Sequence, residues 1–570
     1  MNYCILLQHL MKYHSFDIFD TCLLRTCGTP ENFFDILSLR VFNQPVSENE
    51  RQGFIIARKN AEYKSYINNN KTNIYDIYDC FSYDNPYIIP KSEILEKEIA
   101  LEREVIVPAY KTKQLIDSLR KKGNHIFFIS DMYLPTDIIT DILETNGIYN
   151  SGDKVFVSCD IGASKYNGEI FEYIHNNEKI AYKDWTHYGD NKQCDIKVPH
   201  KLGIKTVKIN HEYSTYEKKW IETGGVTILK YQQLVAGISR SLFFNLTEHP
   251  RKKLLLDIIA PLYVSFVGYV FESARQKGIK KLFFCARDTY QMYQVAKEIN
   301  HKYPEIEIKY LRVSRKSISD SKPDIIIKYF EQEGLASKSY YAAIIDSAAG
   351  GTSFSKINEL LADFGYNEAY GFFLIKFYSP FYTNESTYTG AIREEYVQNN
   401  HFFTPIFKNK KIVTILENVF SSNNGRRTVG YELNDGTVTP VFSYIVENED
   451  SVQQNTEEMQ SYHTEILKYY AKIYINLGLL PYSYKILHEL AIPTFSFFAY
   501  YPSKEYTESL LNCYQKDNNI LLPYLKKESL FSLICTKGND TCWSRATIFY
   551  NLPKWTHSII LKYINYRESL

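Results

Sequence analysis

Apolar runs of strand length alternate with amphipathic stretches from the start of the chain, and each run stops at a polar or acidic residue. The strand candidates are residues 15–20, 125–130, 154–158, 186–190 and 205–210. Helical patterns separate most of them, which predicts a parallel sheet covered on both faces. Between the first two strands the texture changes. Residues 30–42, the stretch after Ser47 and residues 92–122 carry helical periodicity with few strand signals. Ser47 and Glu50 have the capping-box spacing ahead of one such helix. A helical insertion directly behind the first strand is placed to act as a lid over a site at the strand ends.

Residues 211–225 are polar and include Gly224-Gly225, which suits a linker. A second alternation follows, with strands expected at 281–286, 309–313, 342–346 and 369–375 and helices at 289–299, 323–334 and 352–364. Beyond residue 430 the pattern loosens. Residues 447–458 are acidic and read as a loop, and helical segments are expected at 464–480, 506–514 and 554–564. The fold class is therefore α/β in two successive domains, with a mainly helical C-terminal region. The expected division is 1–215 with a helical cap at about 26–122, then 216–435, then 436–570.

Composition changes this picture little. At 570 residues the chain exceeds one core, and 45% hydrophobic with 23% charged content is ordinary for a globular protein. Lys+Arg 66 against Asp+Glu 65 leaves a net charge of +1, so no global field would draw the chain to nucleic acid. The 49 Tyr and 34 Phe suit filled cores or stacking surfaces and select neither. The 10 Cys are scattered without a Cys-x-x-Cys, which argues for thiols in a reducing compartment. No signal-peptide pattern precedes the first strand. The apolar run 258–271 contains Pro261 and is shorter than the roughly 20 residues of a span, so it is expected to be a buried helix. A cytoplasmic location, with peripheral attachment at the inner membrane left open, is the expectation.

Four elements carry chemistry in the first domain. Asp17 stands at an apolar strand that ends at the carboxyl edge of a parallel sheet, where α/β proteins bind ligands. Ser130 ends the run Ile126-Phe127-Phe128-Ile129 and can donate to a phosphoryl oxygen. Lys165 supplies a fixed positive charge. Asp190 and Asp195, in Gly189-Asp190-Asn191-Lys192-Gln193-Cys194-Asp195, bring hard oxygens suited to Mg²⁺. Phosphoryl transfer depends mainly on positioning and charge neutralisation, and these residue types supply both. His187 beside them reads as an ordinary hydrogen-bonded strand residue.

In that order, the elements resemble the haloacid dehalogenase (HAD) superfamily of phosphatases over residues 13–212. The resemblance implies a Rossmann-like sheet, with Asp17 as a nucleophile that forms an aspartyl-phosphate. It also implies magnesium held by Asp17, the Phe19 carbonyl and Asp190, with Asp195 assisting. The insertion would be the family's helical cap. One position departs from the pattern. Two residues after the nucleophile the family's phosphatases carry an Asp that protonates the leaving alkoxide, and here stands Phe19, with Asp20 one residue later. Either Asp20 or a cap residue substitutes, or the domain is slow, or its activity is different; loss of a general acid costs about 10²–10⁴-fold.

Three loops of the second domain fall at expected strand ends. Arg287 and Asp288 follow the first strand, and Arg312, Ser314 and Arg315 follow the second. Asp346, Ser347, Gly350, Gly351, Thr352 and Ser353 follow the third and open a helix. Amides of a Gly-Gly-Thr turn at a helix start can cradle phosphate, and arginine forks can grip pyrophosphate. Asp288 and Asp346 could hold Mg²⁺ or ribose hydroxyls. The third loop resembles the phosphoribosyl pyrophosphate loop of phosphoribosyltransferases, although it is shorter and has one acid where two are usual. The combination resembles a group of bacterial surface-polysaccharide (O-antigen or capsule) enzymes in which a glycan phosphoribosyltransferase is fused to a phosphatase. That resemblance implies transfer of ribofuranose 5-phosphate from phosphoribosyl pyrophosphate to a glycan acceptor, lipid-linked or free, followed by removal of the 5-phosphate. The alternative is a monofunctional Mg²⁺-dependent sugar-phosphate phosphatase whose second domain only binds a ligand.

Overall fold

A computed structural model describes residues 12–68, 72–211, 226–349, 351–377, 388–393, 413–420, 427–443, 457–511, 513–517, 520–523, 525–529, 533, 541 and 543–562. The chain divides into two compact units, residues 1–248 with 476–478 and residues 249–475 with 479–570.

The first unit is built on β1 (Tyr13–Asp17), which is followed by the short strand β2 (Leu23–Arg25). Helices Pro30–Ser38, Glu48–Asn68, Ile74–Cys80 and Lys91–Glu104 come next, before β3 (Ile106–Pro108) returns antiparallel to β2. The helical insertion thus leaves and re-enters through one two-stranded ribbon. Its interior is pinned by Arg58, whose fully buried guanidinium makes two hydrogen bonds to Glu98 at 2.9 and 2.6 Å, with the Tyr78 hydroxyl on the same carboxylate at 2.7 Å. A buried pair this completely hydrogen-bonded fixes how three cap helices meet. The helix Tyr110–Lys121, which the sequence grouped with the insertion, packs instead on the sheet as the crossover into the next strand.

The chain continues through β4 (His125–Ser130), β5 (Lys154–Val157), β6 (Trp185–Gly189) and β7 (Lys205–Lys208). All pairings are parallel, in the order β5-β4-β1-β6-β7. The expected strands are present, their ends displaced by up to three residues. Strand order reverses between β1 and β6, so the crevice of this doubly wound sheet opens where Asp17 and Gly189 leave it. One face is closed by Phe127, Ile129, Phe171, Ile174 and Trp185. The helix Val226–Asn245, placed by the sequence with the second domain, folds with this unit. Gly237 there lies so close to Gly28 that a Cβ would meet backbone at 2.4 Å, and Arg240 donates to the Gly28 carbonyl at 2.9 Å.

The second unit has its own five-stranded parallel sheet: β8 (Lys281–Cys285), β9 (Glu307–Leu311), β10 (Ala342–Ala349), β11 (Tyr370–Lys376) and β12 (Tyr388–Arg393), in the order β12-β11-β10-β8-β9. The last strand had no counterpart in the sequence pattern. Helices Tyr290–Ile299, Pro323–Glu333 and Thr352–Asp363 match the expected ones closely. A hairpin, Thr428–Asn434 with Thr437–Phe442, packs Tyr431 and Val438 into the core beneath Tyr329 and Phe330. The expected loop at 447–458 falls mostly outside the described residues. The C-terminal region is helical at Glu457–Asn476 and Ile492–Tyr500, the helix expected at 506–514 is present as turns Lys504–Thr507 and Glu508–Leu510, and a small hairpin that the sequence did not suggest, Tyr514–Asp517 with Ile520–Pro523, follows it.

The apolar stretch around residue 260 lies in a continuous helix, 252–276, longer than the sequence suggested. Among the described residues it alone is long and apolar enough to cross a membrane, and 94% of its most apolar window is buried inside the protein. Pro261 fits because the preceding turn, Leu255–Ile259, widens to i→i+5 bonding. The same device precedes Pro199 and Pro493. A ring without an N–H cannot join the normal ladder, and a widened turn absorbs the mismatch. The described cysteines Cys22, Cys27, Cys80, Cys159, Cys194, Cys285 and Cys513 are all free thiols.

Candidate active site

Parallel register sets the depth of each functional side chain. Asp17 pairs with Ile129, so it stands beside Ser130, and Phe16 pairs with Tyr188, which puts Gly189 level with Asp17. Asp17, Asp190 and Asp195 each offer a carboxylate oxygen within 4.8 Å of the others. Lys165 reaches between them: its ammonium is hydrogen-bonded to Asp17 Oδ1 and, at 2.8 Å, to Asp195 Oδ1. The lysine is itself aimed by Asp131, whose two oxygens accept from the Lys165 backbone N–H at 2.9 and 3.0 Å.

Asp195 reaches the cluster because the turn Lys192–Lys197 is a widened helical turn that starts at Asn191, whose side chain accepts from the Gln193 and Cys194 amides. A Cβ on Gly189 would lie 2.4 Å from the Asp195 side chain, so only glycine permits this approach. Asp195 also accepts from the Asn191 N–H at 3.0 Å and meets His187 Nε2 at 3.3 Å. The other ring nitrogen of His187 contacts Ser15 Oγ at 2.7 Å, and Trp185 Nε1 donates to that same oxygen at 2.7 Å. His187 is thus the hydrogen-bonded strand residue expected, and it braces Asp195. Thr21 Oγ1 donates to Asp190 at 3.4 Å.

Charge is crowded here. Burial first, then the carboxylates of Asp195 and Asp190, push Asp17 up to about 7 against the pull of Lys165. Burial with Asp20 and Asp195 nearby raises Asp190 to about 6. Burial opposes ionisation of Asp195 as well, but His187 and Lys165 prevail and hold it well below the usual carboxylate range. Lys165 is kept charged by Asp17 and Asp195 despite its burial. Three carboxylates around one lysine leave negative charge in excess, and hard oxygens at this spacing suit a small divalent cation such as Mg²⁺. The donor set therefore fits the metal expected from the sequence. A cavity of about 400 Å³ opens from the cluster, lined also by Phe19, Asp20, Arg25, Phe33, Phe34, Glu102 and Tyr133.

In the second unit the loops expected to bind phosphate also gather at the reversal point of strand order, here between β8 and β10. Ile345 pairs with Phe284, which brings Asp346 level with Cys285. Burial first, then Asp346 and Asp288, raises the Cys285 thiol, so both acids flank that strand end. Asp288 is raised by burial against the pull of Arg287, Arg427 and Arg315, and its Oδ1 is enclosed without a hydrogen bond. Arg287 Nε lies 3.7 Å from that oxygen. Arg312 is stacked, its Cζ 4.9 Å from the Tyr310 ring centroid and 5.4 Å from that of Phe442. The Ser314 hydroxyl is engaged in structure: it caps the helix Arg315–Asp320 and donates to the Thr428 carbonyl at 2.6 Å. Gly351, with φ +87, starts the helix Thr352–Asp363, whose first turn includes Ser353. Gly350 lies outside the described residues.

Several participants went unnoticed in the sequence. Asp131 sits next to an expected residue and carried a readable signal, as an acid at a strand end. Arg427 and Phe442 reach the second site from a hairpin more than a hundred residues along the chain, and no local pattern announces that.

No protein-family model matches the chain, and no curated protein matches it. Solved structures do. A HAD family enzyme from Bacteroides thetaiotaomicron, in complex with magnesium and inorganic phosphate, is 17% identical with a TM-score of 0.27, covering 35% of this chain and 94% of its own. A HAD phosphatase from Thermococcus onnurineus is 20% identical at 0.26, covering 36% and 88%. L-2-haloacid dehalogenase from Xanthobacter autotrophicus is 10% identical at 0.30, covering 39% and 87%. Likeness at this level adds nothing to what the side chains themselves establish.

Proposed function

We propose that the first unit is a Mg²⁺-dependent phosphomonoesterase with Asp17 as nucleophile. One observation carries this: a carboxylate at a sheet's reversal point, hydrogen-bonded to a buried lysine and within 4.8 Å of two further carboxylates. Asp17, Asp190 and Asp195 would hold the ion, with the Phe19 carbonyl beside them. Bound there, Mg²⁺ would neutralise charge on the phosphoryl oxygens. Lys165 and the Ser130 hydroxyl orient the same oxygens. Asp17 Oδ attacks phosphorus as the ester P–O bond breaks, and water then cleaves the aspartyl-phosphate to inorganic phosphate. Phe19 cannot protonate the departing alkoxide, and Asp20, which lines the cavity, is the acid nearest to it along the chain.

For the second unit we propose binding of phosphoribosyl pyrophosphate and transfer of its ribose 5-phosphate to a glycan hydroxyl. The acceptor oxygen bonds to C1, the C1–O bond to pyrophosphate breaks, and the hydroxyl proton leaves to solvent. Arg287, Arg315, Arg312 and the helix start at Gly351–Ser353 are the anion-binding groups, and Asp288 and Asp346 face the ribose hydroxyls or a metal. What supports this is the convergence of these residues at the one edge where a doubly wound sheet binds ligands. Phosphate removal by the first unit would then leave a neutral ribofuranose and make the addition hard to reverse. Incubation with Mg²⁺, phosphoribosyl pyrophosphate and glycan acceptors, followed by mass analysis, tests both steps. Wild type should add a pentose, and Asp17→Asn should stop at the pentose phosphate. If pyrophosphate is never released while simple phosphate esters are hydrolysed, the monofunctional phosphatase is the better account.

A further inference from the structure

Two buried glutamates lie one turn apart on the cap helix Lys91–Glu104, and their surroundings differ. Glu98 has donors on both oxygens, from Arg58 and Tyr78. Glu102 is 2% exposed, yet its Oε2 is enclosed with no hydrogen-bond partner. Its charge partner is Arg25, an ion pair with Nη2 at 3.6 Å, long for a hydrogen bond. Arg25 is 8% exposed and lies over Phe19, its Cζ 4.2 Å from the ring centroid. Arg25 and Glu102 line the same cavity as Asp17, Lys165, Phe33 and Phe34.

A buried acceptor without a donor is costly unless a ligand supplies one. The choice of ligand is narrow. A second anionic group would meet the Glu102 carboxylate, and an alkyl group would leave the spare hydrogen-bonding capacity of the Arg25–Glu102 ion pair unfilled. Two neighbouring hydroxyls satisfy both, one donating to Glu102 and one accepting from Arg25, while the phenyl rings cover the C–H face of a sugar. We infer that Arg25 and Glu102 form a leaving-group subsite that reads a vicinal diol on the alcohol side of the phosphate ester. This rests on the phosphomonoesterase reading of Asp17, and it says which side chains would recognise the sugar that carries the phosphate.

The test uses the full-length chain with Mg²⁺ and two esters of equal size, methyl ribofuranoside 5-phosphate and its 2,3-dideoxy analogue. Wild type should favour the diol in kcat/KM by at least about 100-fold, since a site built to bond a hydroxyl discriminates strongly against its absence. Glu102→Gln and Arg25→Lys should each shrink that ratio to about tenfold or less. A wild-type ratio near one overturns the inference without any variant, and so do variants that lower both rates in step while keeping the ratio. A binding arm separates this from the reading beneath it. Asp17→Asn protein should bind the diol ester in preference to the dideoxy ester, by titration calorimetry, and lose the preference when Glu102→Gln is added. Selective binding with no phosphate release from wild type would sink the phosphomonoesterase and keep the subsite; equal binding of both esters would sink the subsite.

Discussion

Asp17 leaves β1 and is at once hydrogen-bonded to Lys165, which Asp131 and Asp195 hold in turn, and Asp195 is braced by His187 and the Asn191 amide. Asp288 leaves β8 at the matching place in the second sheet, yet one of its oxygens is enclosed with no hydrogen bond, and the arginines near it act only through their charge. Both sheets reverse strand order at these points, β1/β6 in one and β8/β10 in the other. The same topology therefore carries two kinds of site. The first is held by its own side chains, with excess negative charge that a cation would balance. The second gathers positive side chains, Arg287, Arg315 and Arg427, around the buried Asp288.

The most severe way to break this comparison is to remove the nucleophile. Asp17→Asn keeps the shape and the Lys165 contact while abolishing nucleophilic attack. Release of phosphate from simple esters should fall by at least about a thousandfold. Pyrophosphate release from phosphoribosyl pyrophosphate should persist, measured by coupled assay in the same preparation. If both activities fall together, the two sites are not independent.

Stability offers the next test. Gly189→Ala places a Cβ 2.4 Å from the Asp195 carboxylate, and that side chain is fixed by Lys165, His187 and Asn191. The strand or the widened turn must yield, at a cost of about 1–3 kcal/mol. Mg²⁺-dependent stabilisation should disappear as well, because Asp195 is displaced from the cluster. The outcome to look for is a lowered melting temperature that Mg²⁺ no longer raises. In the second unit Arg315 is exposed, and Arg315→Ala should leave the melting temperature nearly unchanged in the absence of ligand. It should instead cut the stabilisation given by phosphoribosyl pyrophosphate, normally about 2.7 kcal/mol at a hundred times Kd, by about 1 kcal/mol or more. An unaltered ligand shift would remove Arg315 from the anion site.

The contrast also explains what the sequence could reveal. Asp17, Ser130, Lys165, Asp190 and Asp195 each follow or border a local pattern, and parallel strand register alone brings most of them level. Both sheets and nearly all their helices were legible for the same reason, since alternating apolar runs need no distant partner to be recognised. Arg25 and Glu102 were not, because a ribbon and a helix separated by the whole insertion bring them together. Arg427 and Phe442 reach the second site through a hairpin whose docking depends on Tyr431 packing against Tyr329 and Phe330. The hairpin at Tyr514 was hidden because its strands are short and lie in a segment without clear alternation.

The finest distinction concerns protons. His14, on β1, is buried and contacts the Tyr188 hydroxyl at 3.2 Å, and burial together with Lys12 and Lys205 pulls it from 6.5 down to about 4. The folded state thus binds this proton less tightly than the unfolded chain. Its contribution to stability is present above pH 6.5 and is lost as the pH falls through 6.5 towards 4. In the second unit His463 is fully buried beside Arg251 and is held well below its ordinary value, first by burial and then by that arginine, so acid acts there in the same direction. His14→Gln keeps a polar group near Tyr188 and removes the titration. Thermal melts between pH 7 and 4 should then show a flatter loss for the first unit alone, followed through hydrogen exchange of β1 and β6, while the second unit keeps its slope. Equal flattening in both units would mean that they unfold as one cooperative body, and the two sites could no longer be perturbed separately.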